Sequence, residues 1–340
     1  MWAVVNTTSY AAERTWIQDK DANKIWLVVV KATYDIAADG VCRLAEEQLP
    51  VLRMAEPSGE LGKSSLLYDA DLAGLKPCTD LLIKGSAWAP ELSRPASAVD
   101  VQVRCGSIDK RLRVTGNRVW EKGLVGGPVA SATEPFVSIP ITYERAYGGW
   151  DRTADDPSEH RMESRNPVGT GFAVRAEASI GAALPNVEYP DRLITSWKDR
   201  PAPAGLNAVE CHWSPRRELA GTYDDRWRKN RAPLWAEDFD PRYNNCAPAD
   251  QQSKGFLRGG ETVDLTNLSA AGRLTFMLPR VYPFFETRFG REKIEHRAQL
   301  CTVVIEPDVA RVIMAWQTSL VCNDRVDELD ATIVTEKRVI

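Results

Sequence analysis

Residues Lys24–Ile36 read KIWLVVVKATYDI. Val, Ile, Thr, Tyr and Trp make up most of the run, side chains that suit the pleated surface of a strand. Ala38, Asp39 and Gly40 follow as a turn, and Val41–Leu44 (VCRL) resumes the apolar pattern. The stretch therefore predicts a long strand that returns through a hairpin. Similar signals recur through the first 145 residues: Asp80–Trp88, Val99–Cys105 (VDVQVRC), Lys110–Val114, a Gly116-Asn117 turn before Arg118–Trp120, and Phe136–Tyr143. They return at Glu261–Leu268, Arg273–Leu278, Gln299–Glu306, Val309–Leu320 and Ala331–Val339. Short strands separated by Gly, Pro, Asn and Asp predict a mainly β protein of antiparallel sandwich or barrel-like lobes. Residues 146–260 lose the period of two, which predicts a long irregular central region with a few short helices. The expected division is an N-terminal β lobe (1–145), an Arg- and Trp-rich central region packed on the lobes (146–260) and a C-terminal β lobe (261–340). The alternative is one continuous body.

The chain of 340 residues is 44% apolar and 26% charged, with a net charge of −4. That balance is ordinary for a globular protein, and without a basic excess it gives no footprint for nucleic acid. No cationic segment with a long apolar run opens the chain, and the longest clean apolar run, Ile25–Val30, is too short to span a bilayer. A cytosolic protein that binds no membrane is expected. The seven scattered cysteines, with no C-x-x-C pair, suit reduced and mostly buried thiols.

The most distinctive stretch is Pro215–Gln252, PRRELAGTYDDRWRKNRAPLWAEDFDPRYNNCAPADQQ. Six arginines (Arg216, Arg217, Arg226, Arg228, Arg231, Arg242) crowd against Asp224, Asp225, Glu237, Asp238 and Asp240, with Tyr223, Trp227, Trp235, Phe239 and Tyr243 between them. Arg–carboxylate forks and stacked rings can order such a segment where no apolar face exists. Tyr, Trp and Arg also dominate binding hot spots. Thr222 with Asp225 three residues on has the form of a capping box, predicting a short helix on which Tyr223 and Trp227 share a face.

Motifs for catalysis fail on inspection. Gly59–Ser64 ends like a phosphate loop, but Pro57 stands where its first glycine is required. Asp19–Asn23 opens like a calcium loop, but Lys24 and Val30 occupy the positions of its glycine and bidentate glutamate. Asp151, Asp155 and Asp156 read as a solvated acidic loop. Cys211, His212 and Cys246 lack a second ligand pair at zinc spacing. No cofactor and no metal site is expected, and the chain reads as a binding protein rather than an enzyme.

Ordered short motifs along nearly the whole chain add a resemblance. These are Lys76-Pro77 with Thr79-Asp80; Gly85, Ala87 and Pro90; Gly116–Trp120; Tyr143–Gly149 (YERAYGG); Asn166–Phe172 (NPVGTGF); Leu184-Pro185-Asn186; Trp213–Arg216; Gly221–Asp224 with Trp227; Asp238-Phe239-Asp240; and Ala247–Gln251. Together they resemble a bacterial family, once labelled only as a domain of unknown function, found in type VI secretion gene clusters. The resemblance implies an effector adaptor or chaperone. Such a protein would bind a secreted effector in the cytosol and help to mount it on the valine–glycine-repeat spike protein. It points to Arg145, Tyr147, Asn166, Arg216, Tyr223, Asp224, Trp227, Asp238 and Asp240 as the partner surface or its supporting shell. Asn117 and Cys301 depart from the family pattern, which commonly has Asp at both places. The competing readings are a hydrolase using Asp224, Asp238 or Asp240 as acid and base, and an immunity protein that neutralises a toxin.

Overall fold

The computed structural model describes residues 2–124 and 126–337. Its longest strand is Lys24–Ile36, with the bounds read from the sequence, and every residue from Ile25 to Tyr34 is buried. Ala11–Gln18 pairs along one edge, with Trp16 opposite Trp26, and Arg311–Val321 along the other, with Ala315 opposite Lys31. Gln299–Glu306, Asp80–Ile83 and the short Cys42–Leu44 complete a six-stranded sheet. A five-stranded sheet runs in the order Val187–Glu188, Ile108–Thr115, Ala98–Cys105, Thr262–Thr266, Arg273–Met277. A four-stranded sheet runs Ala3–Asn6, Leu329–Glu336, Pro283–Phe289, Glu292–Arg297. Two pairings in these sheets are parallel, Ala3–Asn6 with Leu329–Glu336 and Asp80–Ile83 with Gln299–Glu306; the others are antiparallel. Strands from before residue 146 and after residue 260 sit side by side in all three sheets.

One apolar cluster fills the space between the sheets. Val28, Val30 and Ala32 meet Val101, Val103, Leu112 and Val263 from the five-stranded sheet, and Phe285 and Val334 from the four-stranded one. Ala98–Cys105 supplies its share by strict alternation, Val99, Val101, Val103 and Cys105 inward and their neighbours outward. Full burial of a Val or Leu side chain is worth about 1.5–3 kcal/mol, so this layer carries most of the fold's stability. Lys24–Ile36 does not alternate because its other face is covered too: Leu27 and Val29 pack on Leu72. Farther along that outer face, Leu82, Val304 and Ile313 are covered by Leu66, Ala208, Cys246 and Ala247. The result is a mainly β body of several open, largely antiparallel sheets with few short helices. Among the described residues no sheet closes into a barrel, and no helix is long and apolar enough to cross a membrane.

Several elements differ from the sequence reading. Asp80–Trp88 is two strands, Asp80–Ile83 and Ser86–Trp88, interrupted where Gly85 passes close to Pro307. Phe136–Tyr143 forms a strand only over Ser138–Pro140, since the ring of Pro140 removes a ladder donor, and Tyr143–Arg145 is a 3-10 turn. Val309 belongs to a turn, and the strand begins at Arg311. The final strand spans Leu329–Glu336, and the predicted extension to Val339 passes outside the described residues. The hairpin Pro283–Phe289 with Glu292–Arg297 was not read as strand. Its outward positions carry Glu286, Arg288, Lys293 and Glu295, so it lacks an apolar run. The calcium-like Asp19 is a turn residue, accepting from the amides of Asp21 and Asn23 at 2.9 Å each.

Candidate functional site

The stretch from Arg216 to Gln251 is an exposed arm on a buried root. The arm starts at a 3-10 turn, Arg216–Ala220, and leaves it through Gly221 at φ 90°. A side chain at that glycine would meet Asp238 Oδ1 and the Ala236 Cβ below 3 Å, so only glycine allows this neck to close. The neck is tied twice: the Asp240 amide donates to the Leu219 carbonyl at 2.9 Å, and Asp238 accepts from the Thr222 amide at 2.9 Å and its hydroxyl at 2.8 Å. Between these ties lies the helix Asp225–Asn230. Asp224, not Thr222, caps it, accepting from the Trp227 amide at 2.8 Å. Thr222 is unavailable because its hydroxyl serves Asp238.

Aromatic rings stiffen the arm. Tyr223 meets Trp227 edge-on at 4.8 Å, and Trp235, Phe239 and Tyr243 form a ladder with centroids 4.7–6.2 Å apart. Trp227 donates its indole N–H to the Leu234 carbonyl at 2.9 Å. Two bonds fasten the arm to the tip of the Ala11–Gln18/Lys24–Ile36 hairpin: Trp235 Nε1 donates to the Gln18 carbonyl at 3.1 Å, and Arg231 Nη2 donates to the Lys20 carbonyl. The outer surface is polar and wet. Tyr223 is 44% exposed and Trp235 37% exposed, and the Arg226–Glu237 and Arg228–Asp225 pairs lie in water, where each contributes little to stability. Asp224, Arg226, Trp227, Asn230, Glu237 and Asp238 line an open hollow of about 580 Å³.

The root is buried and charged. Arg216 places its guanidinium against Asp69 at 2.9 Å and donates to the carbonyls of Tyr243 (2.9 Å) and Val209 (2.6 Å). Beyond the arm the chain dives onto Asp80, which is fully buried. That carboxylate accepts from Lys76 Nζ at 2.7 Å, the Asn245 amide group at 2.8 Å and the Cys246 backbone N–H at 2.8 Å. Lys76 also donates to Thr302 Oγ1 at 2.8 Å. Gln251 spans from the root to the carbonyl of Leu81 in the edge strand at 2.7 Å and that of Leu206, in the loop beside it, at 2.9 Å. Two sequence motifs far apart in the chain, Lys76–Asp80 and Ala247–Gln251, thus meet at one place. Spacing alone could not reveal this, because neither motif has a period or a ligand pattern.

Two buried lysines, each facing an aspartate, show how much the partner's own burial matters. At Lys76 burial alone would lower the pKa, but the equally buried Asp80 outweighs it and the amine is held above its ordinary range. Lys110 donates to Asp250 at 2.8 Å and to the Gly205 carbonyl at 2.7 Å, yet its pKa falls to about 8. Burial dominates there, because the Asp250 side chain is 42% exposed and water screens its charge. Glu210, beside Asp69, is pushed up to about 7 by burial and then by that neighbouring carboxylate, with Arg216 opposing.

The remaining expected residues build a tight internal turn. Tyr147 is buried among Trp120, Leu184 and Ile194, and its strand pairs with Thr170-Gly171. Asn166, fully buried, donates to the carbonyls of Tyr143 (2.7 Å) and Tyr147 (3.0 Å). Arg145 donates to Asn186 Oδ1 at 3.0 Å. Asn186 in turn donates to Asn117 Oδ1 at 3.2 Å, and Asn117 donates to Glu134 at 3.2 Å, a bond that an aspartate there could not make. Gly148 and Gly149 are needed because Cβ atoms would collide with the carbonyls of Asn166 and Gly169. The expected residues therefore fall into an interior set, Tyr147, Asn166 and Arg216 with the half-buried Arg145, and a surface set, Tyr223, Asp224, Trp227, Asp238 and Asp240. The structure brings the second set together on the arm. It also adds Arg226, Arg231 and Trp235, which the sequence reading saw only as part of the crowd.

No curated protein and no solved structure matches the chain. The sequence profile of one family matches residues 21–317, a span that takes in most of the six-stranded sheet, the internal turn, the arm and its root. The chain belongs to this family, described as uncharacterised proteins conserved in bacteria (DUF2169).

Proposed function

We propose that the protein is an adaptor or chaperone for a type VI secretion effector, which it binds in the cytosol and passes to the valine–glycine-repeat spike. The single observation that supports this most is the arm at 222–238. It presents Tyr223, Trp235, Arg226 and Arg228 to solvent on a neck closed by Asp238 and a root closed by Asp80. Aromatic rings already held by their neighbours lose little conformational freedom when a partner covers them, and Tyr, Trp and Arg dominate binding hot spots, which favours protein recognition. The resemblance of the ordered motifs supplies the secretion context.

The two carboxylates at the arm's neck favour this reading over acid–base chemistry there. Asp238 is held below its usual range by the Thr222 amide and hydroxyl, and Asp240 by the Arg242 guanidinium. A general acid needs one carboxyl kept protonated near neutral pH, and both of these are pulled the other way. The test is co-purification of the full-length protein with effectors encoded beside its gene. Retention of one of them, with the spike protein joining the complex, is the expected result. Failure to retain any would count against the adaptor role, and inhibition of a bound toxin's activity without secretion would point to an immunity protein.

A further inference from the structure

The Lys76–Asp80–Cys246 cluster has a geometry beyond what holding the root requires. Lys76 Nζ donates toward Cys246 Sγ at 3.5 Å, and Asp80 Oδ2 lies 2.7 Å from that nitrogen and 3.4 Å from that sulfur. All three residues are buried. A small cavity of about 30 Å³, enough for one water or one diatomic molecule, adjoins Lys76 and Cys246, and its lining also includes Asp69, Lys84, Thr302 and Val304. An amine, a thiol, a shared carboxylate and a small void are thus in register. No other cysteine in the described residues has a lysine amine within hydrogen-bonding reach.

We propose that Lys76 and Cys246 form an oxidation-gated covalent cross-link, Lys Nζ–O–Sγ Cys, by reaction with dioxygen in the adjoining cavity. The balance closes with one molecule of oxygen, which accepts four electrons. Two come from sulfur as the thiol is raised to the sulfenyl level, and two from nitrogen as the amine becomes a hydroxylamine. One oxygen atom forms the N–O and O–S bonds, and the other leaves as water. The ammonium and the thiol together release four protons less the one kept on nitrogen: water takes two and the Asp80 carboxylate takes the third. A buried ion pair becomes a neutral acid beside a neutral bridge, which suits a desolvated site.

An inserted oxygen spans the 3.5 Å gap with less movement than a direct S–N bond, which would drag the root against the packed sheet. Burial pushes the Cys246 thiol well above its ordinary range, so the sulfur rests protonated and the bridge forms only as the adjacent Asp80 carboxylate takes up the released proton. The bridge would bind the chain just before strand Asp80–Ile83 to the base of the arm and lock the root. The inference is independent of what the arm binds.

The test is intact mass spectrometry of the full chain kept in oxygen-saturated buffer, against protein purified without oxygen. The expected result is a gain of about 14 Da (one oxygen in, two hydrogens out), distinct from the roughly 16 and 32 Da of sulfenic and sulfinic acids. Dithiothreitol should reverse it, and proteolysis should yield one peptide pair joining Lys76 to Cys246. Cys246→Ser should abolish the gain; if that variant fails to fold, the wild-type peptide map decides. Unchanged mass with the two peptides recovered separately, a gain confined to another cysteine, or a loss of about 2 Da from a direct S–N bond would each overturn the proposal.

Discussion

In the Lys24–Ile36 strand, ten consecutive residues from Ile25 to Tyr34 are buried, held by apolar contact on both faces except at Lys31, which pairs with Asp71, and Thr33. In the arm between Thr222 and Asp238, most side chains face water, and individual hydrogen bonds and ring contacts do the holding. The strand's stability is a sum over area, so loss of one methyl group is felt locally and by degree. The arm's shape depends on a few directional ties at its neck and root, so it fails at particular atoms. Exposure follows the same contrast: the strand has no surface left to offer, while the arm keeps aromatic and Arg groups in reach of solvent.

The largest effect is expected where the two regions join. Asp80→Ala leaves Lys76 buried and unpaired and frees Asn245 and the Cys246 amide. A loss of about 3–5 kcal/mol is expected, measurable by urea unfolding, and a loss below 1 kcal/mol would mean that the root is wet and the junction weak.

Next in size is a pH effect inside the sheets. His296 Nδ1 donates to Thr318 Oγ1 at 2.6 Å, which itself donates to the Arg297 carbonyl at 3.1 Å, so Nε2 is left as acceptor for Thr287 at 2.7 Å. The imidazole is thereby fixed as neutral, and burial lowers its pKa from 6.5 to about 4. Between those values the unfolded chain binds the proton and the native protein does not, so stability falls as pH drops from 6.5 toward 4. The full loss is about 3 kcal/mol, and His296→Gln should flatten the stability profile across that window. An identical profile in the variant would show that other groups set the acid sensitivity.

The smallest effect on stability, and the sharpest break in the comparison, is expected at the arm's surface. Arg226→Ala with Arg228→Ala should move stability by no more than about 1 kcal/mol, because both side chains and their ion pairs lie in water. Effector retention should nevertheless fall at least tenfold in the co-purification. A large drop in stability instead would make these arginines part of the scaffold.

The same contrast explains what could be read in advance. Lys24–Ile36, Ala98–Cys105 and Ile108–Thr115 declare themselves because burial against a sheet leaves a repeating apolar signature, and the open, mainly β architecture follows from them. Pro283–Phe289 escaped because it opens on a proline, and Phe284 on its outer face and Thr287 on its core face blur the alternation. At the candidate site, the density of Arg and aromatic residues located the arm. It did not separate Arg216, which is interior, from Arg226, which is out in water, since composition carries no direction. The Lys76–Asp80 meeting with Asn245 and Cys246 was invisible for a further reason: about 170 residues of chain lie between them, and only the packed sheet brings them together.

Amide hydrogen exchange of the free protein against the protein with its effector bound tests the central claim most directly. The account predicts slow exchange at the Asp240 and Cys246 amides in both states, with new protection on binding confined mainly to residues 222–238. New protection elsewhere, with the arm exchanging as it does in the free protein, would contradict it.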